Sequence, residues 1–271
     1  MPPSHGRQTR SIWSGPVPVV LALAALGLLI TGFVVYTRNH AGGQPPGQES
    51  GDGSSVVAKL GGVSPTLLDR VGAGGSKSAS KAISGPPLRG AGGKPQILYV
   101  GAEYCPYCAA ERWSLAVALS RFGQLQGVRL TRSGSDDAFP DTATLSFTQL
   151  RYVSSYIEFT AVETADRQRQ PLQSLSAEQQ HLLDTYSDGS IPFLDFAGQR
   201  TQVGSGFQPD VLTSRSQNEI ANSITTGDGP LAQAVLGHAN VLTAAICRTA
   251  AGQPVAVCAS AGVKAADQQL R

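Results

Sequence analysis

Nothing in this chain points toward nucleic acid. It has no run of basic residues and no interleaving of basic with aromatic side chains, and its formal net charge is only +2 at pH 7. The electrostatic footprint that a phosphate backbone demands is therefore missing. Aromatic residues are scarce, at 6 % of the 271 residues, and cysteine is scarcer still. The four cysteines are Cys105, Cys108, Cys247 and Cys258, an even count that permits two disulfides without proving either. No internal repeat is visible. Charge is absent altogether between Ser11 and Thr37, and that absence is the first positive signal.

The apolar run from Val17 to Tyr36 is almost continuous. At about 1.5 Å per residue, a helix of this length spans a hydrocarbon core of roughly 30 Å. Pro18 stands where the first turn of a helix tolerates it, and Trp13 and Tyr36 flank the run as interfacial aromatics do. Arg7 and Arg10 lie before it, Arg38 and His40 after it. The bias favours a cytoplasmic N-terminus, with the rest of the chain outside the cytoplasmic membrane. The expectation is a single-pass cell-membrane anchor over residues 16–37, behind a cytoplasmic tail at 1–15. A cleaved signal peptide is the alternative, although its apolar core is usually shorter, about 7–15 residues, and Asn39-His40-Ala41 makes a poor cleavage site.

Residues 38–94 are rich in Gly, Pro and Ser and read as a linker. One short helix interrupts it at 64–72. Ser64 suits the N-cap, Pro65 the first helical position and Gly72 the residue past the end. The folded domain is expected over 95–262, with a C-terminal tail at 263–271. Within it, strands are expected at 97–100, 126–131, 144–147, 156–162, 191–196 and 201–203. Helices are expected at 105–119, from the Ser176–Gln179 capping box to about Tyr186, at 210–225 and at 231–249.

The chemistry concentrates in residues 96–113. The apolar strand ends, Cys105 and Cys108 follow with Pro106 and Tyr107 between them, and a helix pattern begins at once. At a helix start, residues i and i+3 share a face, so the two sulfurs can meet. Pro106 suits the first turn because the N–H it lacks has no partner there. The positive end of the helix dipole favours the thiolate of the first cysteine. Cys105 is therefore the candidate nucleophile and Cys108 the resolving thiol. Half of a zinc site, a purely structural disulfide and a redox-inactive binding domain are the competing readings of the same spacing. The spacing of Cys247 and Cys258 and the isolation of His181 and His238, expected at the surface, do not complete a zinc site. No metal and no cofactor is expected. Cys247 and Cys258 are expected to form a structural clip, with an electron relay to Cys105 and Cys108 as the alternative.

Tyr104-Cys105-Pro106-Tyr107-Cys108 resembles the active-site motif of the thioredoxin superfamily, in the Cys-Pro-Tyr-Cys form typical of glutaredoxins. Ser190-Ile191-Pro192-Phe193 looks like that family's cis-proline loop. The resemblance implies an α/β, thioredoxin-like fold with an inserted strand/helix segment and a C-terminal helical extension, preceded by one transmembrane helix. It also implies that Pro106, Tyr107, Ile191 and Pro192 bind an extended substrate segment by strand addition. Over most of 60–260 the chain resembles a narrower group of membrane-anchored thioredoxin-like proteins of unassigned function, domain of unknown function nine-two-nine. One departure matters: Tyr99 stands where thioredoxin carries a buried acid. The function implied is a membrane-anchored, extracytoplasmic thiol–disulfide oxidoreductase. Its partners would be client protein thiols or disulfides and an unidentified redox partner. A non-catalytic binding or assembly module, or a metal-handling protein, is the alternative.

Overall fold

The computed structural model describes residues 51–76 and 80–271. They belong to one compact unit, 49–271. The expected anchor from Val17 to Tyr36 lies outside the described residues.

A mixed sheet organises the fold. Its centre is β2 (Gln96–Gly101), where five of the six residues are buried. β7 (Glu158–Glu163) runs parallel to β2 on one side, and β8 (Phe193–Phe196) runs antiparallel on the other. β9 (Arg200–Val203) forms a hairpin with β8, and β1 (Lys81–Ala82) closes that edge. A strand flanked on both sides and covered on both faces reads as an unbroken apolar run, as Ile97-Leu98-Tyr99-Val100 does.

Alternate residues of β2 feed two separate cores, as the period of 2 in a strand requires. Ile97 and Tyr99 join the larger core with α3 (Pro106–Ser120), α5 (Gln217–Thr226) and α6 (Gly229–Thr249). Leu98 and Val100 pack with Val162, Phe193 and Leu183 of α4 (Ala177–Ser187). The sheet is thus the middle of three layers. Both α4 and α5 begin in capping boxes, Ser176 with Gln179 and Ser216 with Glu219.

Between α3 and β7 lie two small antiparallel pairs. β3 (Gly123–Gln126) pairs with β6 (Arg151–Ser154), and β4 (Arg129–Arg132) with β5 (Ala143–Ser146). The strand expected at 126–131 is in fact two strands, because Gly127 takes φ 73° and turns the chain between them. β6 was not expected. The helix expected at 210–225 is also two pieces, a 3₁₀ turn at Pro209–Leu212 and then α5, which Ser216 starts afresh.

The linker segment carries more structure than its composition indicates. α1 (Ser54–Gly61) buries Val56 and Leu60 in the larger core, and α2 (Pro65–Val71) buries Leu67 and Leu68. Ser64 caps α2 by accepting from the Leu67 N–H at 3.1 Å, as its sequence position implies. The last residues are ordered as well: α8 (Ala261–Asp267) buries Val263 and Ala266. Cys247, near the end of α6, is disulfide-bonded to Cys258 at the end of α7 (Val255–Cys258). Arg248 adds a second tie across the same corner, its Nε 2.6 Å from Asp267 Oδ1.

Among the described residues one helix, α6, is long and apolar enough to cross a membrane, but 83 % of its apolar window is buried inside the fold. It packs against α3, α5, α2 and α8, which is the setting of a core helix.

Asp195 on β8 is a buried carboxyl. Its Oδ1 accepts from the Gly198 N–H at 2.6 Å, and its Oδ2 has no hydrogen-bond partner among the described residues. Burial pushes its pKa from 3.8 up to about 6, against the opposing pull of that N–H. A raised folded pKa means that the native state holds the proton more tightly than the unfolded chain. The contribution of Asp195 to stability is therefore greatest at low pH and is lost as pH rises from about 4 to above 6. Asp195→Asn is expected to flatten that slope and to stabilise the protein at pH 8 by on the order of 2–3 kcal/mol. Denaturant titrations of both proteins at pH 4 and pH 8 check it.

Candidate functional site

β2 ends at Gly101, and the chain turns through Ala102-Glu103-Tyr104 into α3. Cys105 is the N-cap of that helix and Pro106 its first residue. The N–H of Cys108 donates to Cys105 Sγ at 3.3 Å, so the sulfur fills the capping role that an oxygen usually fills. Cys105 is 7 % exposed and Cys108 is fully buried. Both are free thiols in this structure.

The two sulfurs are not equivalent. Cys105 is drawn down to about 7, first by the hydrogen bond from the Cys108 thiol and then, against the cost of burial, by the Cys108 N–H, the Arg112 guanidinium and the Tyr107 N–H. Burial pushes Cys108 well above the ordinary thiol value, and the hydrogen bond to Cys105 and that sulfur's charge push it the same way. The first proton of the pair is therefore lost around pH 7, and the thiolate forms at the more exposed sulfur. The alkylation rate of Cys105 in the reduced protein is expected to titrate with a midpoint of about 7 rather than the ordinary 9. A pH series with iodoacetamide and mass mapping of the modified residue checks it.

The rim around Cys105 comes largely from the loops that follow β4 and β7. Gly134 N–H donates to Tyr104 O at 2.8 Å, which fastens the loop between β4 and β5 to the turn that precedes Cys105. Phe139 on that loop meets the Tyr107 ring edge to face at 6.0 Å. Tyr107 Oη lies 3.5 Å from Gln208 Oε1. Arg169 covers the Tyr104 ring at 4.1 Å and reaches Asp136 and Asp137. A cavity of about 410 Å³ lies elsewhere, at the Cys247–Cys258 corner.

The β2–β8 register pairs Val100 with Phe193. Continued by one step, it sets Pro192 level with Gly101, at the end of the sheet that leads to Cys105. The Ile191–Pro192 peptide is cis; Pro192 is buried and Ile191 half-buried. The same end of the sheet thus carries Cys105, Cys108, Pro106, Tyr107, Ile191 and Pro192. Cys247 and Cys258 belong to the α6–α7 corner.

Beneath the cysteines lies a charged cluster that the sequence reading missed. Arg112 on α3 and Glu163, the last residue of β7, are both fully buried. Arg112 Nε is 2.7 Å from Glu163 Oε1, and Nη2 is 2.6 Å from Oε2. Nη2 also donates to Ala102 O at 2.8 Å. The Tyr99 ring lies 5.9 Å from the guanidinium carbon, and burial holds its phenol well above 10. Tyr99 Oη and Arg112 Nη1 have no hydrogen-bond partner among the described residues. Gly101 makes room for this arrangement, since a Cβ there would overlap the Tyr99 hydroxyl.

A second buried network joins Glu111, His238, Gln202 and Ser76. His238 Nε2 is 2.9 Å from Glu111 Oε2, and Nδ1 is 2.9 Å from Ser76 Oγ. Gln202 Nε2 reaches Glu111 Oε1 at 3.0 Å. His238 is fully buried, which corrects the expectation that it lies at the surface. α6 is apolar on every side and sits at the centre of the larger core, so a histidine there is enclosed. His181 is exposed. Among the described residues no group of three or more His, Cys, Asp or Glu could hold a metal ion.

Comparison with known proteins finds no matching curated protein and no matching solved structure. One family does match. Its sequence model, described as Domain of unknown function (DUF929), covers residues 87–248, a span that runs from the segment leading into β2 to the last turns of α6 and includes both cysteines of the candidate site. The chain belongs to that family.

Proposed function

We propose that this protein is a membrane-anchored, extracytoplasmic thiol–disulfide oxidoreductase of thioredoxin-like fold, with Cys105 as nucleophile and Cys108 as resolving thiol. The observation that carries this reading is the inequality of the two sulfurs. Cys105 caps a helix with its pKa lowered to about 7, while Cys108 is sealed beneath it and held protonated. A structural disulfide has no use for that division of labour.

The sheet supports the fold assignment. A central strand leads into the cysteine-bearing helix, a parallel neighbour follows, and an antiparallel hairpin returns through Pro192. The apolar run from Val17 to Tyr36 supports the anchor. The Cys247–Cys258 disulfide is the kind of bond that persists in an oxidising compartment.

In reduction of a client, the Cys105 thiolate attacks one sulfur of the client disulfide. A Cys105–client bond forms, and the other client sulfur leaves as a thiolate. Cys108 then gives up its proton and attacks Cys105 Sγ. The mixed disulfide breaks, the Cys105–Cys108 bond forms, and the released client sulfur takes up the proton. Two electrons have passed to the client, and the reverse sequence oxidises a client dithiol. The client segment would dock between Tyr107 and the Ile191–Pro192 loop, where backbone pairing supplies affinity. An unidentified redox partner restores the starting state.

The test is exchange itself. Reduced full-length protein should be oxidised by a small protein disulfide with the loss of two thiols per chain, and Cys105→Ser should lose that reaction by at least about a hundredfold. If wild type and Cys105→Ser exchange at the same rate, the reading fails.

A further inference from the structure

Arg112 is a charge buried where no solvent reaches it, directly beneath the two cysteines. Its bidentate bond to Glu163 satisfies two of its donors, and one more, Nη1, has no partner among the described residues. Ala102 ties the cluster to the redox pair. Its carbonyl accepts from Arg112 Nη2 at 2.8 Å and from the Cys105 N–H at 3.3 Å, and its own N–H faces the Cys108 sulfur. One backbone residue therefore links the guanidinium to both cysteines.

Position in the fold explains why the cluster is held so firmly. Glu163 pairs in register with Gly101 at the end of β2, and Arg112 is one helical turn past Cys108. Both side chains emerge from rigid elements, and each would be costly to bury without the other.

We propose that Arg112 is the positioning residue whose buried charge stabilises the thiolate of the Cys105–Cys108 pair, and that Glu163 is the counter-charge that limits this effect. The inference rests on reading the cysteines as a redox pair. The titratable or charged groups around that pair are Arg112 on α3, Glu163 on β7, Tyr99 on β2 and Tyr104 in the preceding turn, with Arg169 over the Tyr104 ring. Tyr99 and Tyr104 are both held neutral, the phenols raised by burial. Arg112 and Glu163 are left as the charges that act from below. Buried as Arg112 and Glu163 are, such charges act strongly, because little solvent screens them.

Two substitutions separate the roles. Glu163→Gln keeps the shape and leaves the guanidinium uncompensated. The double variant Arg112→Gln with Glu163→Gln removes both charges and retains side-chain amides across the gap. The readout is the pH midpoint of Cys105 alkylation in the reduced full-length protein, with near-UV circular dichroism to confirm the fold. The midpoint is expected to fall by about one pH unit in Glu163→Gln, and to rise again by about one unit or more in the double variant. The reduction potential of Glu163→Gln should move in the oxidising direction, because stabilising the thiolate stabilises the reduced pair. If the midpoint of Glu163→Gln stays where it is or rises, or if the double variant is no higher than Glu163→Gln, the inference is overturned. Alkylation needs only a reduced cysteine, so this result stands apart from whether any client disulfide is ever exchanged. A purely structural ion pair would change stability without reversing the direction of the midpoint.

Discussion

Cys108→Ser is expected to turn the protein into a trap. Cys105 keeps its place at the helix N-terminus, its backbone hydrogen bond from residue 108 and the nearby Arg112. It can still attack a client disulfide, but no second sulfur lies behind it to break the mixed disulfide. Client proteins should accumulate as adducts that survive denaturing gels and disappear on reduction, rising from undetectable in wild type to a major fraction of the protein. Cys105→Ser and the double serine variant should give none. Serine keeps a donor at position 108, whereas Cys108→Ala removes the hydrogen bond that lowers Cys105 most, so the alanine variant should raise the Cys105 alkylation midpoint above that of the wild type. Adducts in Cys108→Ser, with the upward shift in Cys108→Ala, are the expected pair of results. Adducts in all three serine variants alike would point to surface chemistry unrelated to the site.

The second large effect is on stability. Arg112→Met leaves the Glu163 carboxylate fully buried without its cationic partner. Removing one half of such a pair costs about 3–5 kcal/mol, which for a domain of this size lowers the melting temperature by about 6–20 °C. Replacing both partners with apolar residues of similar volume is expected to be close to neutral, because desolvation cancels much of what a buried ion pair gains. Thermal unfolding of Arg112→Met, Glu163→Met and the double variant forms a double-mutant cycle. The account expects a coupling of several kcal/mol, well above the roughly 0–1 kcal/mol of a surface pair.

The sequence made some of this legible and hid the rest for physical reasons. Local signals worked where they reflect local physics. Ser64, Ser176 and Ser216 each cap a helix through a nearby N–H. Ser64 and the Ser176–Gln179 box were read as such; Ser216 was absorbed into a longer helix because a 3₁₀ turn precedes it. Cys105 and Cys108 were found because strand, C-x-x-C and helix lie within one short stretch. Arg112 and Glu163 are far apart in sequence and meet only through the β2–β7 pairing. There was a signal, though. From Cys108 to Leu119, α3 has no polar face, and Glu111, Arg112 and Ser114 interrupt otherwise apolar residues. A helix apolar on every side is buried on every side, so its charges must have partners deep in the fold. The same reasoning applies to His238 in α6. Composition misled over residues 54–61, where glycine on either side suggested a tether. Val56 and Leu60 lie on one helical face and fill the core.

The central claim is that Cys105 and Cys108 form a redox-active pair, and a redox titration of the full-length protein tests it most directly. Equilibrated against glutathione buffers and read by thiol trapping, the pair should interconvert reversibly as a two-electron couple, with a potential above about −300 mV, in the range where exchange with cellular thiols proceeds. The Cys247–Cys258 bond should remain oxidised throughout and serve as the internal reference. A Cys105–Cys108 bond that likewise stays closed in buffers poised below about −300 mV would be a structural disulfide, and the account would be contradicted.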